Sequence, residues 1–465
     1  MKKRWTSPHF ALSAALLLAA HLCNAQPAAP RHGSCRIESV GFDGWRAQQL
    51  ANEWVTLTIV PQLGGRLMQV TFGGHAYLFV NPRYAGKYFP PSEGAPKGRW
   101  FNYGGDKIWP LPEGTQDEQH WAGPLSDALD DGEYAFKILS QSSVCAVQLD
   151  GPADARTGLQ YSRNISIDSD SPEISFHAVM KNATAHPIQW SMQSVSQYDT
   201  VDPHNSADFN HDFWAFTRAD SHSSFAGGYR VRTGLASDPS FAVKDGWFTL
   251  HWMNLQSEVW IDSPGDWVVV VDGATHFAMA ERFSYVKGAE YPGDASVIFY
   301  KNGRPPERKQ KDGEPVSPAD PDDSLFYMEA ELNSPLVRLE PGLTYAMDTK
   351  WFPARAGNEF KTITDAGLVG EALQASISST GVILSGSFGV FFPGTLVAHL
   401  YDDNGVEANA VSLAAVIPTE SLSLNQTIKS PSAIARVSLH LVDPQGRDRG
   451  SLGEARVTRR DGTPR

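Results

Sequence analysis

The chain contains 465 residues, of which 41% are hydrophobic and 20% charged, and its formal net charge is −13 at pH 7. This excess of acidic groups opposes binding to nucleic acid or to an anionic membrane surface. The sequence has no Gly-x-Ser-x-Gly motif, no phosphate-binding glycine loop and no dinucleotide fingerprint, so serine-hydrolase and nucleotide chemistry are disfavoured.

The first 25 residues have the pattern of a cleaved export signal. Basic residues at positions 2–4 precede an apolar run from Ala11 to Leu22, and Ala25 supplies a small residue at the cleavage point. The run is too short for a membrane anchor, and the two residues before Cys23 do not fit a lipid-modified cysteine. We therefore expect cleavage near Ala25, a periplasmic or secreted mature chain and no membrane insertion.

Cleavage would leave two cysteines, Cys35 and Cys145. In an oxidising compartment such a pair can form a disulfide that ties the N-terminus to a strand, and a pair of free thiols is the alternative. Two cysteines are too few for a disulfide scaffold or for a zinc site on their own.

Alternating or β-rich segments dominate the chain up to residue 353. They are Val55–Val60, Arg66–Phe72, Tyr134–Ser140, Leu159–Ile167, Glu173–Met180, Ile188–Gln197, Trp267–Val271, His276–Arg282, Ser296–Tyr300 and Leu325–Leu332. No stretch before residue 355 keeps a helical period for more than two turns. The pattern predicts an all-β fold, with a large antiparallel sandwich over residues 36–353.

Shorter and simpler strands follow. We expect a linker over residues 354–370 and a small β-sandwich over residues 371–455, similar to immunoglobulin or fibronectin modules but without their diagnostic residues. Within the large sandwich, the segment Pro305–Asp323 is rich in proline and charge and is predicted to be a surface loop.

The segment Trp100–Glu113 combines four aromatic residues, a Gly-Gly pair and two prolines. We predict a constrained loop, because glycine permits unusual backbone angles and proline stiffens the chain. Its aromatic faces and polar groups suit a sugar ring, so the predicted substrate-binding residues are Asn102, Asp106, Lys107 and Trp109. A crossing loop that merely caps the core is the alternative.

Glu329 and Glu331 are the strongest acidic candidates. Residues two apart in a strand share one face, and neighbouring carboxylates raise each other's proton affinity. This condition suits general acid or base catalysis, and a solvated strand face is the alternative.

Histidines offer weaker candidates. His120 could donate a proton to a ligand oxygen, whereas His177 is interpreted as a surface residue. His204 and His211 lie in a polar segment that could bind a cation, but their irregular spacing favours a hydrated loop. His276 and Glu281 are possible cleft residues. No metal or cofactor is predicted.

Three segments together resemble the galactose mutarotase-like (aldose 1-epimerase-like) superfamily. They are Val55–Arg66, Phe101–Pro110, and Glu329–Leu336 with the following Leu339–Gly342 and Trp351. The second is similar to the Gly-Gly-Asp-Lys-x-Trp-Pro loop of an uncharacterised bacterial branch. The resemblance covers residues 38–353 and implies a large antiparallel β-supersandwich, followed here by the small C-terminal β-sandwich.

In the epimerases a late-strand glutamate takes the anomeric proton and a histidine protonates the ring oxygen. The resemblance matches Glu329 or Glu331 to the glutamate, but the histidine's expected position falls in Trp190–Asp199, which has none. That segment offers Gln193 and Gln197 as substrate-binding residues instead. Epimerase chemistry would then need His120 or Lys107 as the proton donor.

These observations favour an exported carbohydrate-recognising protein that binds a saccharide and acts on it by epimerase-like acid/base chemistry. A non-catalytic periplasmic glycan-binding or scaffold protein is the main alternative. A polysaccharide lyase or an accessory domain of a glycoside hydrolase is a weaker one, because the helical barrel that usually precedes such sandwiches is missing.

Overall fold

The computed structural model describes residues 33–91, 100–113, 120, 128–305, 325–357, 359–429 and 434–458. Throughout these ranges the regular structure is β-strand, apart from three short 3-10 helices at Pro82–Tyr84, Ala226–Gly228 and Pro292–Asp294. The predicted all-β fold is confirmed. The predicted signal segment and nearly all of the predicted loop at 305–323 lie outside the described residues. Within them, no helix has the length and apolar character needed to cross a membrane.

The described ranges contain twenty-four strands before residue 356. The first twelve are β1 (Arg36–Phe42), β2 (Trp45–Ala51), β3 (Val55–Val60), β4 (Arg66–Phe72), β5 (His75–Ala76), β6 (Asp106–Leu111), β7 (Ala135–Gln141), β8 (Val144–Ala153), β9 (Leu159–Asp168), β10 (Ile174–Asn182), β11 (Ile188–Asp199) and β12 (Val201–Asp202). The next twelve are β13 (Asn205–Phe209), β14 (Phe213–Arg218), β15 (Tyr229–Thr233), β16 (Phe241–Lys244), β17 (Trp247–His251), β18 (Ser257–Ile261), β19 (Trp267–Asp272), β20 (Phe277–Arg282), β21 (Val297–Asn302), β22 (Tyr327–Asn333), β23 (Val337–Leu339) and β24 (Thr344–Arg355).

These strands form two large antiparallel sheets. The first sheet has the order β1-β2-β3-β4-β6-β11-β22-β21-β18-β15, with β5 paired to β4 and β23 to β11. The second sheet has the order β16-β17-β14-β19-β20-β24-β10-β9-β8-β7, and β12 and β13 form a separate hairpin. Side chains of both sheets meet in one hydrophobic cluster, so the sheets pack face to face as a sandwich.

The strand periodicity explains which side chains are buried. In β10 the apolar residues Ile174, Phe176, Ala178 and Met180 are buried and alternate with more exposed positions. The sequence pattern predicted this face, because successive side chains of a strand point to opposite sides. His177 lies on the exposed face, as predicted, and its Nδ1 is 2.7 Å from Asp348 Oδ1.

A third sheet follows the sandwich. Its strands are β25 (Thr362–Ile363), β26 (Gly367–Ser378), β27 (Gly381–Val390), β28 (Gly394–Tyr401), β29 (Glu407–Val416), β30 (Ser421–Ile428), β31 (Arg436–Val442) and β32 (Asp448–Thr458). They take the order β29-β28-β31-β32-β26-β27-β30, with β25 paired to β26. The interval 354–370, predicted as a linker, therefore holds β25 and the start of β26.

The third sheet shares a hydrophobic cluster with the second. Val269, Ala280 and Phe352 of the second sheet belong to the same cluster as Leu384 and Leu439 of the third. The second sheet is therefore covered by apolar side chains on both of its faces.

Cys35 and Cys145 are joined by a disulfide across a sequence separation of 110 residues. Cys35 immediately precedes β1 of the first sheet, and Cys145 lies in β8 near the edge of the second. Of the two states that the sequence left open, the structure contains the disulfide.

Candidate active site

Strand β6 forms the centre of the candidate site. It is paired with β4 on one side and β11 on the other, and all six of its side chains are buried. The prediction of a loop was therefore wrong for Asp106–Leu111. The Gly-Gly pair before it crosses close to another segment: a Cβ on Gly104, whose φ is 94°, would lie 2.1 Å from the carbonyl oxygen of Phe79. Only glycine fits that crossing without strain.

Asp106 and Lys107 project from opposite faces of β6. The side chain of Asp106 enters the space between the two large sheets, where it is ion-paired with Arg163 and accepts a hydrogen bond from Ser196 Oγ at 3.2 Å. Lys107 projects away from the second sheet, toward Glu329. We call the face that carries Lys107 the outer face of the first sheet. Of these two predicted substrate-binding residues, Asp106 therefore lies inside the sandwich and Lys107 on the outer face.

The strand register lines up polar side chains of the outer face in three neighbouring rows. One row is Glu258, Tyr300, Glu329 and Gln197; the next is Trp260, Ile298, Glu331, Val195 and Lys107; the third is Asn333, Gln193 and Trp109. Residues opposite each other on adjacent strands have side chains close enough to interact. The structure therefore brings together Lys107, Trp109, both glutamines and both glutamates of the predicted site.

Each central glutamate is held by a glutamine. Gln197 Nε2 donates to Glu329 Oε1, and Gln193 Nε2 donates to Glu331 Oε2. Glu329 and Glu331 are only 6% and 7% exposed. The Oε1 atoms of Gln193 and Gln197 are buried without a hydrogen-bond partner in the described part of the chain. Such groups are uncommon in folded proteins and call for an explanation.

Lys107 lies between the glutamates and two tryptophans. Its Nζ is 3.9 Å from Glu329 Oε1, 4.0 Å from the ring centroid of Trp109 and 5.1 Å from that of Trp100. Burial, together with the nearby charge of Arg66, lowers the pKa of Lys107 to about 8. Its Nζ makes no hydrogen bond with the described residues. The amine can therefore exchange a proton near neutral pH.

Asp130 fixes the two tryptophans. Trp100 Nε1 donates to Asp130 Oδ2 at 2.8 Å, and Trp109 Nε1 donates to Oδ1 at 2.9 Å. The buried guanidinium of Arg66 donates to the same Oδ1 at 2.5 Å. The aromatic wall beside Lys107 is thus held by a charged hydrogen-bond network.

Two further glutamates extend the group, and we call Glu113, Glu258, Glu329 and Glu331 the glutamate cluster. Burial, followed by the charges of Glu329, Glu258 and Glu113, raises the pKa of Glu331 well above its usual range. Glu113 is exposed at its side chain, yet the protein around its carboxyl and the charges of Glu258 and Glu329 raise its pKa to about 7. Burial also raises the pKa of the half-buried Glu258.

The exposed end of the cluster carries an aromatic ring. Trp260 is half-exposed, its Nε1 donates to Glu258, and Arg230 and Arg232 lie 5.1 and 5.5 Å from its ring. The sequence analysis missed Glu113, Glu258 and Trp260. The available signal was the spacing of Glu258 and Trp260, which are two residues apart in a short apolar strand.

Other predicted site residues lie elsewhere. Asn102 is buried and holds the segment before β6, where its Oδ1 accepts from the Gly104 amide at 3.2 Å. His120 is half-exposed, and the residues on both sides of it lie outside the described ranges, so its role as a proton donor remains a prediction. The described residues include no group of three or more His, Cys, Asp or Glu that could hold a metal ion.

Glu281 belongs to the core between the sheets rather than to a cleft. It is fully buried, accepts a hydrogen bond from the Tyr198 hydroxyl, and lies near Asp106. Burial raises the pKa of Glu281 to about 8. Together with Arg163 and Ser196, these residues form a polar network inside the sandwich.

No protein-family model matches the chain, and no curated protein matches its sequence. A solved TPR-domain containing protein from Parabacteroides distasonis has a TM-score of 0.43 at 14% identity, with 66% of this chain and 47% of that chain covered. A galactose mutarotase-like protein from Clostridium acetobutylicum has a TM-score of 0.42 at 12% identity, covering 69% and 99%. Another from Lactobacillus casei has a TM-score of 0.40 at 9% identity, covering 66% and 99%. Similarities of this size leave the family and the activity of the chain open.

Proposed function

We propose that this protein is an exported carbohydrate-recognising protein that binds a saccharide on the outer face of the first sheet. The observation that carries the proposal is a set of polar atoms that are buried without a hydrogen-bond partner among the described residues: Lys107 Nζ and the Oε1 atoms of Gln193 and Gln197. A sugar presents hydroxyl groups that can both donate and accept hydrogen bonds, so one ligand can satisfy all three atoms. The tryptophans beside them suit the apolar faces of a sugar ring.

The same arrangement supports acid/base chemistry on the bound sugar. Glu329 would accept the proton of the anomeric hydroxyl as the ring C–O bond breaks, and protonated Glu331 or Lys107 would give a proton to the ring oxygen. Reclosure on the other face of the carbonyl returns both protons. Two neighbouring carboxyls with different proton affinities fit these roles, because one can stay protonated while the other is ionised. This epimerase-like activity, and membership of the branch with the Gly-Gly-Asp-Lys-x-Trp-Pro motif, are parts of the proposal.

Export is also proposed. The pattern of residues 1–25 and the disulfide between Cys35 and Cys145 support it together, since disulfides persist mainly in oxidising compartments.

A non-catalytic glycan-binding protein is the second candidate. It is favoured by the packing of Lys107 against two tryptophan rings, which limits the movement of the amine, and by the absence of histidine from β11.

The proposal is tested by measuring sugar binding and anomer interconversion on matched variants. Thermal unfolding with a panel of aldoses at millimolar concentration should show stabilisation of the wild type, because a ligand that binds only the native state raises its stability. Glu329→Gln and Glu331→Gln should each slow anomer interconversion, followed by NMR, by about 100-fold or more. Glu371→Gln, an exposed change on the third sheet, is the control.

The outcomes separate the candidates. Stabilisation by an aldose without any anomer interconversion would contradict the proposed enzyme activity and support the non-catalytic glycan-binding protein. An unfolding temperature unchanged by every sugar of the panel would remove carbohydrate recognition itself.

A further inference from the structure

The glutamate cluster places four carboxyls beside few positive charges. Glu258 of β18 shares a row with Glu329 of β22, Glu331 lies in the next row of β22, and β21 separates the two strands. Glu113 acts on them electrostatically. The cations that act on the cluster are Lys107 at its buried end and the exposed Arg232 at its open end. Two of these carboxyls, those of Glu329 and Glu331, are buried, and burying them beside so few counter-charges is costly in the empty site.

The uncharged groups beside the cluster are also short of donors. The side-chain amides of Gln193 and Gln197 donate hydrogen bonds to the glutamates, and their Oε1 atoms accept none from the described residues. Asn333 Oδ1 on the neighbouring row is likewise buried without a partner in the described chain. These side chains are at most 2% exposed, and the ends of both glutamine side chains contact the cluster. A ligand that fits must therefore bring donors and positive charge.

The described residues hold no group of three His, Cys, Asp or Glu side chains that could bind a metal ion. An ammonium group fits the cluster. It carries one positive charge and three hydrogen-bond donors, and it can be held by carboxylates that are too far apart to ligate a metal.

We propose that the site selects an aldose bearing a protonated amine, such as a 2-amino-2-deoxyhexose, with the ammonium between Glu258 and Glu331. This inference rests on the proposed function, since it specifies the sugar bound at the same site. Glu258 and Trp260 are half-exposed, so this end of the cluster is open to solvent. The reacting part of the ring would lie deeper, beside Glu329 and Lys107.

The site should accordingly discriminate among sugars of the same size. Titration calorimetry on the full chain at pH 7 should give an affinity for glucosamine about tenfold or more above that for glucose, because an ammonium-to-carboxylate hydrogen bond is stronger than a neutral one. N-acetylglucosamine, which lacks the charge, and glucuronate, which adds a negative one, should both bind more weakly than glucosamine.

The pH dependence gives a second measurement. The surroundings raise the pKa values of Glu113, Glu258 and Glu331, and a bound cation would lower them again. Glucosamine binding should therefore release protons and strengthen between pH 5 and pH 7. Lys107 and Arg232 also act on these carboxyls, and Arg66 and Asp130 act on Lys107. The same titration with uncharged glucose therefore gives the background.

Glu258→Gln tests the placement of the amine. The amide keeps an acceptor for Trp260 Nε1 but removes the charge, so the ratio of glucosamine affinity to glucose affinity should fall toward one. The ratio should be unchanged in the exposed Glu371→Gln control.

Each outcome separates this inference from the proposed function. Glucose binding as strong as or stronger than glucosamine binding in the wild type would overturn the amine selection while leaving carbohydrate recognition in place. A wild-type ratio that persists in Glu258→Gln would overturn the assigned position of the amine. Failure of every sugar to bind would overturn both proposals.

Discussion

Asp106 and Lys107 are adjacent in sequence, yet their charges are on opposite faces of β6. Asp106 is ion-paired with Arg163 inside the sandwich, whereas Lys107 Nζ is 3.9 Å from Glu329 Oε1 on the outer face. The strand geometry requires this separation, because successive side chains alternate across a sheet. One short strand therefore contributes a structural charge and a charge of the candidate site.

The two residues should respond differently to substitution. Asp106→Ala should lower the free energy of unfolding by about 3–5 kcal/mol, because the buried Arg163 would lose its partner. Lys107→Met should cost much less stability, since burial already disfavours the charged amine, but it should abolish sugar binding. Urea unfolding and calorimetry measure the two effects.

Asp403→Ala, an exposed change in a turn of the third sheet, serves as the control, with an expected effect within about 0.5 kcal/mol. An Asp106→Ala protein as stable as this control would show that the Arg163 ion pair does not stabilise the sandwich.

Glu281 should make stability depend on pH. Its pKa is about 8 in the native protein and near 4.5 when unfolded, so between these values the native state holds a proton that the unfolded state has lost. The contribution of protonated Glu281 to the free energy of unfolding is therefore complete below pH 4.5. It falls as pH rises toward 8, by about 1.4 kcal/mol per pH unit at most. Glutamine does not titrate, so the free energy of unfolding of Glu281→Gln, relative to that of the wild type, should rise from pH 4.5 to pH 8.

Urea unfolding of both proteins at pH 5, 6, 7 and 8 measures the difference. Taking the difference cancels the contributions of Glu113 and Glu331, which act over part of the same range. Parallel curves for wild type and Glu281→Gln would mean that Glu281 titrates normally.

Period-two alternation predicted much of the sandwich correctly from sequence. It identified the buried face of β10 and the common face of Glu329 and Glu331, because both depend only on spacing within one strand. It could not identify their partners, since no local pattern fixes the register between distant strands. Glu258 reaches the row of Glu329 only through β21, which pairs with both β18 and β22.

Strand β6 shows why the loop prediction failed. The Gly-Gly pair before the strand, Pro110 within it and Pro112 after it are turn signals. Proline is also uncommon in a central strand because it lacks an N–H group. The flanking strands β4 and β11 nevertheless pair with this segment, so tertiary context overrides its local preference. The same error placed Asp106 and Lys107 together as substrate-binding residues.

The shared apolar cluster between the second and third sheets predicts that they unfold together. Phe391 follows β27 in the third sheet, is fully buried, and its ring centroid lies 5.0 Å from that of Phe352 and 5.9 Å from that of Trp267 in the second sheet. Phe391→Ala should therefore cost about 3–5 kcal/mol through lost contacts and a cavity. Because the removed ring contacts both sheets, scanning calorimetry should show one transition shifted to lower temperature.

Val406→Ala, at an apolar side chain that is 62% exposed, should leave that transition in place. Two transitions, of which Phe391→Ala moves only one, would show instead that the large sandwich is stable without the third sheet.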